Sequence, residues 1–96
     1  ERRMNKRTFV KKLQAISDLP VLNGHRRTNK GVTTYFLAPD KEAELTEFLS
    51  KIGPSRAIPY SRDGTLCYEN ATNRVVYYPA TEQDKFLSVA IMRWDA

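Results

Sequence analysis

Lys6, Arg7, Lys11 and Lys12 put four cations within seven residues. Ammonium and guanidinium groups spaced this closely neutralise phosphates, and the affinity they give falls steeply with salt. At helical pitch Arg3, Arg7, Lys11 and Gln14 share one strip. A second basic group follows in His25, Arg26, Arg27 and Lys30, with Asn29 between them able to contact phosphate or a base edge. Residues 1–31 hold nine Lys and Arg against two acids, whereas residues 32–96 hold seven against nine. Charge segregated in this way is the footprint of a polyanion partner, and nucleic acid is the commonest polyanion. The candidate contacts are therefore Arg3, Lys6, Arg7, Lys11, Lys12, His25, Arg26, Arg27, Asn29 and Lys30.

Other chemistries find less support. His25 is the only histidine, and with Arg26, Arg74, Tyr77 and Tyr78 it would make a metal-independent ribonuclease. Acid–base work needs positioned partners, and nothing in the spacing brings these residues together. One Cys and one His fall short of a zinc set, so no metal is expected. No Gly-rich phosphate cradle and no nucleophile motif is present, and no cofactor or catalytic role is expected. Tyr60, Tyr68, Tyr77 and Tyr78 would stack bases if they shared an exposed sheet face. The reading favoured here makes them core residues with hydroxyls at the rim. Cys67 reads as core, and Trp94 as a core lid or an interface anchor.

The elements that position these residues must come from 96 residues, enough for one small domain. A composition 41% hydrophobic and 28% charged suits a folded chain. The single cysteine excludes an internal disulfide and favours a reducing setting: cytoplasm, nucleoid or nucleus. The sequon Asn70-Ala71-Thr72 reads as a turn. No apolar run approaches the roughly 20 residues of a membrane span, and the charged N-terminus has no signal-peptide core. A start at Glu1 leaves room for a longer parent protein.

Asn5 predicts an N-cap for a helix running to about Ser17, with Phe9, Val10, Leu13 and Ile16 on its apolar side. Residues 21–27 and 32–38 predict two strands around the turn Thr28-Asn29-Lys30-Gly31. Asp40 predicts the cap of a second helix through Ile52, stopped by Gly53-Pro54, with Leu45, Phe48, Leu49 and Ile52 as its stripe. Ile58-Pro59-Tyr60 predicts a short edge strand. The turn at Arg62-Asp63-Gly64, the strand Leu66-Cys67-Tyr68, the turn 70–73 and the strand 75–78 complete a meander. Thr81 and Asp84 predict the cap of a last helix carrying Phe86, Leu87, Ala90, Ile91 and Trp94, with a terminal strand over 86–92 as the alternative.

Within this plan Asn5-Lys6-Arg7-Thr8-Phe9-Val10-Lys11-Lys12-Leu13, then Leu19-Pro20-Val21, Arg26-Arg27, Gly31 and Thr34-Tyr35-Phe36-Leu37 resemble the recognition helix plus wing of winged-helix transcriptional regulators. The resemblance covers residues 5–38 and leaves the meander outside it. It implies a helix docked in the major groove and a basic wing on phosphate or in the minor groove.

The fold class expected is α+β, a single domain ordered helix, β-hairpin, helix, antiparallel meander, then helix or strand. The function expected is non-enzymatic nucleic-acid binding, DNA ahead of RNA, in a transcriptional or regulatory role. A small protein-binding module or inhibitor docking an acidic protein surface is the alternative, and a metal-independent ribonuclease the third.

Overall fold

The computed structural model describes residues 4–17, 26–29 and 31–95. Among them lie helix α1 (Lys6–Ser17), strands β1 (Arg26–Asn29) and β2 (Val32–Leu37), a 3-10 turn (Pro39–Lys41) and helix α2 (Glu42–Leu49). Strands β3 (Ser55–Ala57), β4 (Leu66–Glu69), β5 (Asn73–Tyr78) and β6 (Leu87–Trp94) follow. The six strands form one antiparallel sheet in the order β1-β2-β6-β5-β4-β3, so the last strand enters between the hairpin and the meander. The architecture is α+β.

Alternation fixes which residues meet the helices. Tyr35 and Leu37 on β2, Leu87, Val89 and Ile91 on β6, Val75 and Tyr77 on β5 and Tyr68 on β4 share one face. Phe9 and Leu13 of α1 and Leu45, Phe48 and Leu49 of α2 cover it. The ring of Phe9 stacks on Phe48 at 5.2 Å and leans on Trp94 at 4.6 Å. Trp94 is thus a lid over the core rather than an exposed anchor. The other face has Cys67, Val76, Ala90 and Ser88 as its buried centre.

Several local expectations hold. The Thr8 amide donates to Asn5 Oδ1 at 2.8 Å, the bond an N-cap makes. Gly31 turns the hairpin at φ +81°, a conformation that favours glycine. The turn at 70–73 is closed by Asn70, whose Oδ1 accepts from the amides of Thr72 and Asn73. Cys67 is buried in its strand, as are Tyr68 and Tyr77.

Others are corrected. Strand β1 continues through Thr28 and Asn29, which pair with Thr33 and Val32, so the turn is shorter than expected. Asp40 caps nothing: Pro39 starts a 3-10 turn one residue earlier, Asp40 falls inside it, and α2 begins after Lys41 without a side-chain cap. Helix α2 ends at Leu49; the Ser50 amide still donates to the Thr46 carbonyl four residues back, and the amides of Lys51 and Ile52 make tighter bonds to the Phe48 and Leu49 carbonyls three back. Pairing in the meander precedes Pro59, over Ser55–Ala57, because proline has no amide to donate to a ladder. Tyr60 is then left in a turn, fully exposed at φ +67°.

The largest correction concerns the last helix. Thr81 Oγ1 does accept from the Asp84 amide at 2.8 Å, as a cap would. The Thr81 amide, however, donates to the Asp84 carbonyl, which closes a turn, and residues 87–94 then run as a strand. The strand between β2 and β5 pairs with both, so it satisfies their facing edges as well as its own backbone, whereas a helix here would leave both edges open.

Candidate nucleic-acid interface

Helix α1 is held by Phe9 and Leu13 in the core and by Ser17, whose Oγ donates to the Phe36 carbonyl of β2 at 3.0 Å. At 100° per residue this anchoring turns Arg7 and Lys11 away from the core and sets Lys12 on one flank, while Lys6, three residues before Phe9 and seven before Leu13, lies on their side of the helix at its first turn. All four are exposed. None forms an ion pair with an acid among the described residues. The first turn of α1 contains no acid. Lys6 and Arg7 therefore sit at the positive end of the helix dipole, where each cation costs roughly 0.3–1 kcal/mol. A helix that starts against its own dipole is a local inconsistency of the kind found where a surface serves binding.

The hairpin is seated on the same framework. Arg26 stands opposite Tyr35 and Arg27 opposite Thr34, at alternate register positions, and Asn29 stands opposite Val32. Arg3, His25 and Lys30 lie outside the described residues, as does the expected strand before Arg26. Of the α1 cations Arg7 and Lys11 are thus brought together, on the outer side of a helix bonded to the inner strand of the hairpin.

Of the candidates for a ribonuclease, Tyr77 and Tyr78 are not gathered on one face, and His25 lies outside the described residues. Tyr77 points into the core side, where its hydroxyl donates to Glu42 Oε2 at 2.7 Å, and its neighbour Tyr78 takes the opposite face with Arg74. Burial, reinforced by the bond to Glu42, pushes the Tyr77 phenol well above the ordinary tyrosine range. That keeps it protonated and a poor base. Among the described residues no group of three or more His, Cys, Asp or Glu is placed to hold a metal ion. No helix among them is long and apolar enough to cross a membrane.

One arrangement escaped the sequence reading. On the face that no helix among the described residues covers, Glu69, Arg74 and Arg93 are register neighbours on β4, β5 and β6. Arg56 reaches Glu69 from β3 at 3.3 Å, and Arg93 reaches it at 3.6 Å. Hydrogen-bond contact with the Cys67 sulfur is the main influence raising the pKa of Arg74. Farther along β5, Arg62 lies over the Tyr78 ring at 5.9 Å and donates to the Pro79 carbonyl. A groove of about 330 Å³ runs here, bounded by Arg62, Tyr78, Phe36 and Met92, with Ser88 and Ala90 on its floor. The available signal was the alternation of size in Leu87-Ser88-Val89-Ala90-Ile91, large on one face and small on the other, which marks a strand with a shallow second face. The arginines gave none, being spread from residue 56 to residue 93.

Comparison of the chain with protein-family models, curated proteins and solved structures gives no match.

Proposed function

We propose that this chain is a nucleic-acid-binding protein, with duplex DNA ahead of RNA as the target and with a transcriptional or regulatory role in the cytoplasm, nucleoid or nucleus. The observation that carries this reading is the exposed set Lys6, Arg7, Lys11 and Lys12 on one docked helix, without acidic partners among the described residues. Lysine ammonium groups on flexible stems suit phosphate contacts that vary along a backbone. The succession of α1 and the hairpin over residues 5–38 supports the same reading, since it is the order of a recognition helix and its wing. In this reading α1 enters the major groove, and Arg26, Arg27 and Lys30 of the hairpin touch phosphate.

Fluorescence anisotropy with a random-sequence duplex tests it. Binding is expected at low salt, weakening linearly on a log–log salt plot. The double variant R7E/K11E is expected to flatten that slope by about 2, at roughly 0.9 per lost phosphate contact. No binding by the intact chain at low salt, or an unchanged slope in the folded double variant, overturns the proposal. Equal binding to an acidic protein surface and to duplex would direct it to a protein partner instead.

A further inference from the structure

The helix-free face of the sheet carries charges that the α1 reading leaves unused. Arg74 and Arg93 are direct cross-strand neighbours, a pairing of like charges that destabilises a sheet. Two carboxylates, Glu69 and Asp95, face three guanidinium groups there: Glu69 pairs with Arg56 and Arg93, Asp95 pairs with Arg93, and Arg74 has no ion pair among the described residues. Each guanidinium has five donors, so this cluster holds more than the two carboxylates can accept. Arg93 is fixed in place by donating from Nε to the Thr72 carbonyl and from Nη2 to the Asn70 carbonyl, each at 3.2 Å, and by Asp95 at 3.8 Å. The Arg56 side chain is 54% exposed, and Arg74 Nε is buried without a hydrogen-bond partner among the described residues. Arg93 and Arg74 are thus held against the sheet, while Arg56 is open to solvent.

Its surroundings select the anion. Tyr78 lies four residues along β5 from Arg74, about 13 Å at strand rise. Between these ends the floor is small: Cys67, Val76, Ala90 and Ser88. Asp84 lines the groove together with Arg62 and Tyr78. That acid disfavours a second phosphate there and leaves the place to an uncharged ring.

We propose that this face of the sheet binds single-stranded nucleic acid, with Arg56, Arg74 and Arg93, beyond the end of the groove, holding phosphates and Tyr78 in the groove, flanked by Arg62, stacking a base. A base in a duplex has both faces covered by its neighbours, so stacking on Tyr78 requires an unpaired strand. A basic track beside an aromatic platform is the pairing of features that such strands use. Because this face lies across the sheet from α1, the proposal stands whether or not α1 binds duplex.

Anisotropy of a fluorescein-labelled oligothymidylate at low salt, with the intact chain, gives the test. Tyr78→Leu and the double variant R56A/R62A are each expected to lower affinity for the oligothymidylate about tenfold. Both should keep the wild-type melting temperature and the wild-type affinity for random duplex. Tyr78→Phe, which keeps the ring, should bind as the intact chain does. The variant R7E/K11E should retain oligothymidylate binding whatever it does to duplex. No oligothymidylate binding by the intact chain, unchanged affinity in folded Tyr78→Leu and R56A/R62A, or equal loss of both ligands in R7E/K11E overturns the proposal. Polyglutamate competing as well as the oligothymidylate also overturns it, in favour of an acidic protein partner.

Discussion

On its helical side the sheet is sealed: Phe9, Leu13, Leu45, Phe48 and Leu49 close over Tyr35, Val75, Tyr77 and Val89, and the cations of α1 stand outside that seal in water. On its other side no helix covers the strands among the described residues, and the charges lie on the sheet itself, tied to Glu69 and to backbone carbonyls. The two sides carry the same sign of charge in different chemistry. The α1 set is three lysines and one arginine on a solvated helix, whereas the sheet set is four arginines. Lysines on a helix supply charge that adapts to a backbone; arginines locked by neighbours supply direction. The contrast teaches that a net charge on a small domain does not name one surface, and that bonds to carboxylates and backbone carbonyls decide which charges are held in place.

Breaking the sealed side should have the largest effect. Phe9→Ala removes a ring stacked on Phe48 and tilted on Trp94, and is expected to cost about 3–5 kcal/mol in urea unfolding. Loss of α1 docking should weaken duplex binding with it; a cost within experimental error would mean that α1 is not anchored as described. Next comes Gly53→Ala. A Cβ at Gly53 would collide with the Glu69 carbonyl, which is backbone and cannot swing aside. A loss of about 1–3 kcal/mol is expected, as for overpacking in general. It should be accompanied by a displaced Glu69 and weaker single-strand binding while duplex affinity holds, so equal loss of both would blur the distinction between the faces.

Tyr77→Phe should be milder, about 1 kcal/mol at neutral pH, since Glu42 is exposed and can turn to water. Its value lies in the alkaline limb. The folded Tyr77 phenol titrates above its unfolded value of about 10, so its contribution is complete below that pH. Above it the unfolded chain ionises first, and stability falls as pH rises. Tyr68, raised by burial, adds to the same fall. Thermal melts from neutral pH upward should therefore decline more gently in Tyr77→Phe; an identical slope would remove the buried phenol from the account. The smallest effect belongs to Arg56→Ala, an exposed ion pair worth about 0–1 kcal/mol. Its melting temperature should barely move, and a large drop would show the cluster to be structural rather than a binding surface.

Much of the helical side was legible in the chain. The spacing of Phe9 and Leu13, and of Leu45, Phe48 and Leu49, marks one face of a helix whatever surrounds it. Asn5 caps α1 through a bond three residues long, which the local sequence suffices to specify. The helix-free face was not legible, because its members come from β3, β4, β5 and β6 and meet only through register. Arg74 and Tyr78 stand out in the chain only as members of other sets, because their place beside Arg93 and Arg62 depends on residues distant in sequence.

The terminal segment shows where the boundary lies. Phe86, Leu87, Ala90, Ile91 and Trp94 have helical spacing, and Leu87, Val89 and Ile91 have strand spacing; the chain supports both. The local bond from the Asp84 amide to Thr81 forms as a cap would and still does not start a helix. What decided was the slot between β2 and β5, where an extended chain pairs its backbone on both edges and buries both faces. By itself the sequence determined the amphipathic helices, the turns, and the segregation of charge into the first third. Those follow from contacts a few residues apart. Only the tertiary structure decided the central strand, the floor of small side chains and the arginine cluster, because each depends on pairings between distant segments whose energy is realised only when the sheet closes.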